Sequence, residues 1–211
     1  MFITFEGPDG SGKTTQARML AEHLESRGYP VLCTREPGGT EISEQVRQVI
    51  LSTHNKSMRN ETEVLLYSAA RAQIVAELIR PALAQGKLVI CDRYYDSTFA
   101  YQGYGLGVDL NLLRAITQFA TGGLVPDLTF YVDVPVELGL ARRHRGETNR
   151  LDLKNVEYHT RVRNGYLELV KAEPTRFIVI DGSGSVEQVQ EQIRARMMTE
   201  LAQRQIPGAS A

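Results

Sequence analysis

Residues 1–16 read Met1-Phe2-Ile3-Thr4-Phe5-Glu6-Gly7-Pro8-Asp9-Gly10-Ser11-Gly12-Lys13-Thr14-Thr15-Gln16. An apolar run, Phe2–Phe5, leads into a G-x-x-x-x-G-K-[ST] loop, and a helical pattern starts near Lys13. That strand–loop–helix order is what makes the octapeptide a phosphate cradle rather than a glycine-rich hairpin. Glycines let successive backbone N–H groups turn toward a phosphate chain. The helix that opens there adds partial positive charge at its N-terminus. Gly7, Pro8, Asp9, Gly10, Ser11, Gly12, Lys13 and Thr14 are therefore the expected nucleotide-phosphate residues. The Lys13 ammonium reaches the β/γ-phosphates, and the Thr14 hydroxyl suits Mg²⁺.

Outward from the loop, further strand-like apolar runs fall at Val31–Thr34, Leu88–Cys91, Leu128–Val132 and Phe177–Ile180. Helical periodicity separates them, at Gln16–Ser26, Ile42–Leu51, Glu61–Gln85, Asp109–Ala120, Val136–Arg143, Val156–Lys171 and Val186–Ala202. Pro81 is placed to kink the third of these. Alternating strands and helices predict an α/β chain with a five-stranded parallel sheet covered on both faces. Ligands of such sheets bind beyond the carboxyl ends of the strands. Glu6, Arg35-Glu36, Asp92-Arg93 and Asp133 all sit there and are expected to converge on the phosphate loop.

The 211 residues suffice for one domain, taken as 1–204, with 205–211 a frayed tail. Twenty-four basic residues balance 25 acidic ones, so no positive field points to a nucleic-acid polymer. No apolar run is long enough to cross a membrane, and no leader pattern opens the chain, which predicts a cytoplasmic protein. Cys33 and Cys91 lie in apolar runs and are expected to be buried reduced thiols.

Asp92 suits a second metal-site element beside the phosphate loop, with a helix cap as its alternative. Asp133 is the second candidate and fits a cap better. Arg93, planar and next to a phosphate site, can grip two oxygens at once. Arg142-Arg143-His144-Arg145-Gly146 and Arg150 form a basic run that suits a lid over the nucleotide, about residues 142–153. Tyr67 and Arg71 share one helix face, as a stacking ring and an edge-reading guanidinium would. Ser97, Thr98, Tyr101 and Gln102 add hydroxyls and an amide. A nucleotide-dependent switch is disfavoured, because no Asn-Lys-x-Asp guanine reader occurs.

These motifs together resemble the bacterial thymidylate kinase family. The carriers are Phe5–Gln16, Thr34-Arg35-Glu36-Pro37-Gly38-Gly39-Thr40, Ala69-Ala70-Arg71, Asp92-Arg93-Tyr94 and the arginine-rich run. The resemblance implies a three-layer P-loop NTPase fold with a short lid, ATP and dTMP as substrates, Mg²⁺ as cofactor, and a homodimer. It implies a catalytic set of Lys13, Arg93, Asp9 and Arg145, with Arg142 and Arg150 as other lid candidates, because the loop itself carries no arginine. Thr14 and Asp92 would hold the metal. Arg93 and Arg47 would take the dTMP phosphate, Glu36 would line the transfer site, and Asp9 would sit near the acceptor sugar. Tyr67 would stack on thymine and Arg71 would bond its O4 edge. Ser97, Thr98, Tyr101 and Gln102 would complete the pocket. Another nucleotide or deoxynucleoside kinase on the same fold is the rival reading.

Overall fold

The computed structural model describes residues 1–143 and 154–207. Five parallel strands form one sheet in the order β2-β3-β1-β4-β5. They are β1 (Phe2–Glu6), β2 (Val31–Arg35), β3 (Leu88–Asp92), β4 (Leu128–Asp133) and β5 (Phe177–Asp181). Each runs one residue past its apolar stretch and ends on Glu6, Arg35, Asp92, Asp133 or Asp181. The chain leaves central β1, skips a place to β2, returns to β3, then crosses to β4. The strand order thus reverses at β1, where open α/β sheets carry their ligand crevice.

Helices cover both faces. Helix α1 (Lys13–Glu25) and α9 (Val186–Gln203) pack on one face, against Ile3, Phe5, Ile90 and Phe130. The opposite face, which includes Phe2, Val89, Cys91 and Tyr131, is covered by α3 (Asn60–Ile74), α6 (Leu110–Thr121) and α8 (Val156–Ala172). Helix α2 (Glu41–Leu51) lies against α3. Side chains alternate along a strand, so sequence parity decides which layer each strand end addresses. On β1, Phe2, Thr4 and Glu6 share the α8 side; on β3, Leu88, Ile90 and Asp92 share the α1 side.

The long helical pattern at Glu61–Gln85 is broken. Helix α3 passes into a π turn at Val75–Ile79, and α4 (Arg80–Ala84) follows. The Arg80 N–H reaches back to the Val75 carbonyl, just before Pro81, whose ring and missing N–H interrupt the α register. Between β3 and α6 lies a helix that periodicity missed: α5 (Tyr95–Thr98) and a π segment, Phe99–Gly105. Its glycines look like a loop, but a Cβ on Gly105 would lie 2.7 Å from the Tyr158 ring of α8. Close packing, not chain reversal, requires glycine there. Asp109 does open α6, its Oδ1 accepting from the Leu112 N–H at 2.8 Å.

Two expectations fail at the sheet edge. Strand β2 is only partly buried, and Cys33 is exposed, whereas Cys91 is buried. An edge strand has a neighbour on one side only, so an apolar run there need not be enclosed. Near the C-terminus, Ile206 packs on the α1/α9 core, and residues 208–211 lie outside the described residues.

Candidate active site

The phosphate loop spans the gap between β1 and α1, and its shape depends on close backbone approach. Gly10 lies so close to the Gly139 carbonyl of α7 (Val136–Arg143) that any Cβ would collide with it. Gly12, with φ 88°, is the left-handed residue that starts α1. The side chain of Lys13 is buried, and its Nζ donates to the Pro8 carbonyl at 3.3 Å. Burial, and then the positive charge of Arg93, pull this ammonium down to about 8.

Because Asp92 faces α1, it meets Thr14. The Thr14 hydroxyl donates to Asp92 Oδ2 at 2.5 Å. The other oxygen, Oδ1, is buried with no hydrogen-bond partner among the described residues, and so is Ser11 Oγ. Buried polar atoms are seldom left so, and an absent ion or ligand accounts for such cases. A hydroxyl joined to a carboxylate with a spare oxygen fits a hard cation such as Mg²⁺, which takes few protein ligands and relies on phosphates. Among the described residues there is no cluster of three or more acidic, histidine or cysteine side chains that would make a closed metal cage.

Glu6 faces the other way, toward α5 and α8. It is fully buried and accepts from the Tyr94 N–H (2.7 Å), Ser97 Oγ (2.6 Å) and Tyr166 OH (2.8 Å). Burial, and then the charge of Asp96, lift it to about 7. Ser97 and Tyr166 in turn accept from Arg93 Nη1, at 2.9 and 3.2 Å. Arg93 Nη2 donates to Asp9 Oδ1 (2.6 Å) and Tyr101 OH (3.0 Å), and the guanidinium lies 4.8 Å from the Tyr101 ring centre. Arg93 also has φ 69°, a strained value for a non-glycine residue. Side-chain and backbone anchors together overcome that strain and aim the fork at the loop.

A cavity beside Arg93 is lined by Asp9, Glu36, Pro37, Arg47, Leu51, Tyr67, Arg71, Arg93, Tyr94, Ser97, Thr98, Tyr101 and Gln102. Every side chain expected to contact the acceptor therefore lines this one cavity. Arg71 is buried and already engaged: Nε donates to Glu36 Oε2 at 2.7 Å and Nη1 to Thr98 Oγ1 at 3.1 Å. Burial pushes the Glu36 carboxyl up to about 7, and the Arg71 charge opposes that rise. Arg47 reaches in from α2, with Nη1 donating to the Pro37 carbonyl at 2.8 Å.

Two sequence expectations are corrected. Arg35 does not converge on the loop; it alternates with Glu36 and pairs outward with Glu44 at 2.8 Å. Asp133 does not serve as a helix cap: Arg163 holds both its oxygens at 2.8 Å, and Tyr131 OH donates to it. Arg142, a lid candidate, donates to the carbonyls of Gly182 and Ser183. Arg145 and Arg150 lie outside the described residues. Sequence reasoning missed Tyr166, which looks like any core aromatic at helical spacing. It placed Glu6 at the end of β1 but did not foresee its bonds to Ser97 and Tyr166.

The family model described as Thymidylate kinase matches residues 5–193. A curated thymidylate kinase of Roseiflexus sp. (strain RS-1) is 53% identical, with 96% of this chain and 95% of that one covered. One from Symbiobacterium thermophilum is 49% identical over 99% of this chain and 97% of its own. Among solved structures, the thymidylate kinase of Ehrlichia chaffeensis superposes with a TM-score of 0.77 at 36% identity, covering 93% of this chain and 98% of that one.

Proposed function

The chain belongs to the thymidylate kinase family and is an enzyme that phosphorylates dTMP from ATP, and we propose how its own residues do so. The Gly7–Thr14 loop with Lys13 holds the ATP phosphates. Arg93 and Arg47 hold the dTMP phosphate, with Glu36 lining the transfer site and Asp9 beside the acceptor sugar. Tyr67 stacks on thymine, Arg71 faces its O4 edge, and Ser97, Thr98, Tyr101 and Gln102 enclose the nucleoside. A dTMP phosphate oxygen attacks the γ-phosphorus in line, and the bond to the β-bridging oxygen breaks. The acceptor is already anionic, so no side-chain base is required; alignment and charge neutralisation supply the catalysis. Thr14 and Asp92 are the residues that would hold Mg²⁺, which when bound shields phosphate charge.

The observation that carries this reading is the joint placement of Arg93 against Asp9 of the loop and against the acceptor cavity. One guanidinium thereby touches both halves of the site. The test is an ADP-release assay across nucleoside monophosphates. We expect dTMP to be the best acceptor; equal turnover of AMP, CMP or GMP would point to another kinase of this fold.

We assign 1–204 to one catalytic domain, with a lid at about 142–153 and a tail at 205–211. Arg145 of the lid supplies the charge that the loop lacks. Arg145→Ala is expected to lower kcat about a thousandfold or more, the range known for transfer arginines, with little change in KM for dTMP. Unaltered turnover would reject it. The enzyme acts in the cytoplasm, where its free cysteines stay reduced.

A homodimer is supported by an apolar strip on the packed pair α3 and α6. Leu65, Leu112 and Phe119 are 58%, 54% and 90% exposed, and Leu112 and Phe119 lie two turns apart on one face. Such a strip is costly to leave in water. Sedimentation at micromolar concentration should give a dimer, and Phe119→Asp should shift it to monomer.

A further inference from the structure

Glu63 is 1% exposed in α3, one turn before Tyr67, and no step of the phosphoryl transfer uses it. Its Oε1 accepts from Gln102 Nε2 at 2.7 Å, in a buried bond that ties α3 to the π segment after α5. Gln102 is itself 2% exposed and lines the acceptor cavity. The two ends of a glutamine amide have nearly the same shape, so a free one can present either a donor or an acceptor. A carboxylate only accepts. Opposite Glu63, the NH₂ end must therefore face the carboxylate. The remaining Oε1 receives no donor among the described residues and is left for the cavity.

We propose that Glu63 sets base specificity by locking the Gln102 amide so that it offers an acceptor to the base edge. The recognised group is then a ring N–H, as in the imide of a 2,4-dioxopyrimidine. A 4-aminopyrimidine presents a lone pair at the same ring position, so two acceptors would face each other. Sites built to bond a polar hydrogen reject analogues lacking it far more strongly than apolar pockets reject a change in size. Glu63 acts through Gln102 and is a positioning residue. The inference rests on the reading that this cavity holds the nucleoside of the acceptor.

Kinetics with dTMP, dUMP and dCMP test it. In Glu63→Gln the facing amide can donate or accept, so both Gln102 orientations become satisfied. The ratio of kcat/KM for dTMP over dCMP should fall about tenfold, the scale of one hydrogen bond, mainly through a lower KM for dCMP, since an amide shared between two orientations costs dTMP only about twofold. The dTMP over dUMP ratio should hold, because both bases carry the imide N–H. A dTMP over dCMP ratio unchanged within twofold overturns the proposal, as does an equal disturbance of the dUMP ratio, which would signal general pocket damage.

Gln102→Leu separates the two levels. If it leaves KM for dTMP unchanged, the base lies elsewhere and the cavity reading fails with the proposal. If it raises KM while Glu63→Gln keeps the ratio, only the role of Glu63 fails. Should Glu63→Gln not fold, NMR of the wild-type chain decides. Before dTMP is added, the Gln102 carboxamide should show two distinct protons, one protected from exchange by Glu63. An averaged, freely exchanging pair overturns the lock.

Discussion

Arg93→Ala is expected to lower kcat/KM for dTMP by about 10³- to 10⁵-fold, the range seen when a transition-state arginine is supplied or removed. The side chain is bonded both to the loop, through Asp9 and the Gly7 carbonyl, and to the acceptor wall, through Ser97 and Tyr101. Its loss removes the bond of Arg93 to the Asp9 carboxylate beside two phosphate-bearing ligands, so removed attraction and added repulsion act together. Arg93→Lys should recover little. An ammonium is a point charge and cannot serve Asp9, Ser97, Tyr101 and Tyr166 from one planar fork. Steady-state kinetics, with ATP binding measured separately, checks this. A drop of less than tenfold would show that Arg93 only shapes the cavity wall.

Arg176→Ala is expected to lose about 3–5 kcal/mol of stability, the cost of leaving a buried charge unpaired. Arg176 precedes β5 and donates to Asp96 at 2.7 and 2.9 Å, to Glu173 at 2.8 Å and to Thr129 Oγ1 at 2.7 Å. Asp96 is completely buried in α5, between the residues that carry the acceptor wall. Domains of ordinary stability hold about 5–15 kcal/mol in total, so this one change removes a large fraction. Urea denaturation measures it. The paired replacement Arg176→Met with Asp96→Asn should restore most of the loss, because no charge is then stranded. A single-variant loss below about 1 kcal/mol would mean that water reaches Asp96.

Much of this site is legible in the chain because strand ends and loop motifs are local. The phosphate loop, Asp92-Arg93 and the Tyr67/Arg71 pair lie where strand parity and helical spacing predict. What escaped depends on partners brought from far along the chain. Glu6 and Tyr166 are 160 residues apart yet share a hydrogen bond. Glu63 gains meaning only once Gln102 is folded against it, and the helix holding Gln102 is disguised by Gly103 and Gly105. Arg35 and Glu36 are adjacent, yet alternation sends one to solvent and the other to Arg71. Cys33 was misplaced because an apolar run does not reveal which strand ends the sheet.

Much of the positive charge of the acceptor cavity is paired in advance. Its guanidiniums on Arg71 and Arg93 already hold Glu36 and Asp9. An arriving phosphate meets Arg47, bonded to the Pro37 carbonyl, and at Arg71 and Arg93 must trade places with, or wedge beside, a resident carboxylate. Long-range steering should contribute little to capture, and association should depend only weakly on ionic strength compared with electrostatically guided encounters. Discrimination is then exercised at contact, after the nucleotide has collided, rather than during its approach.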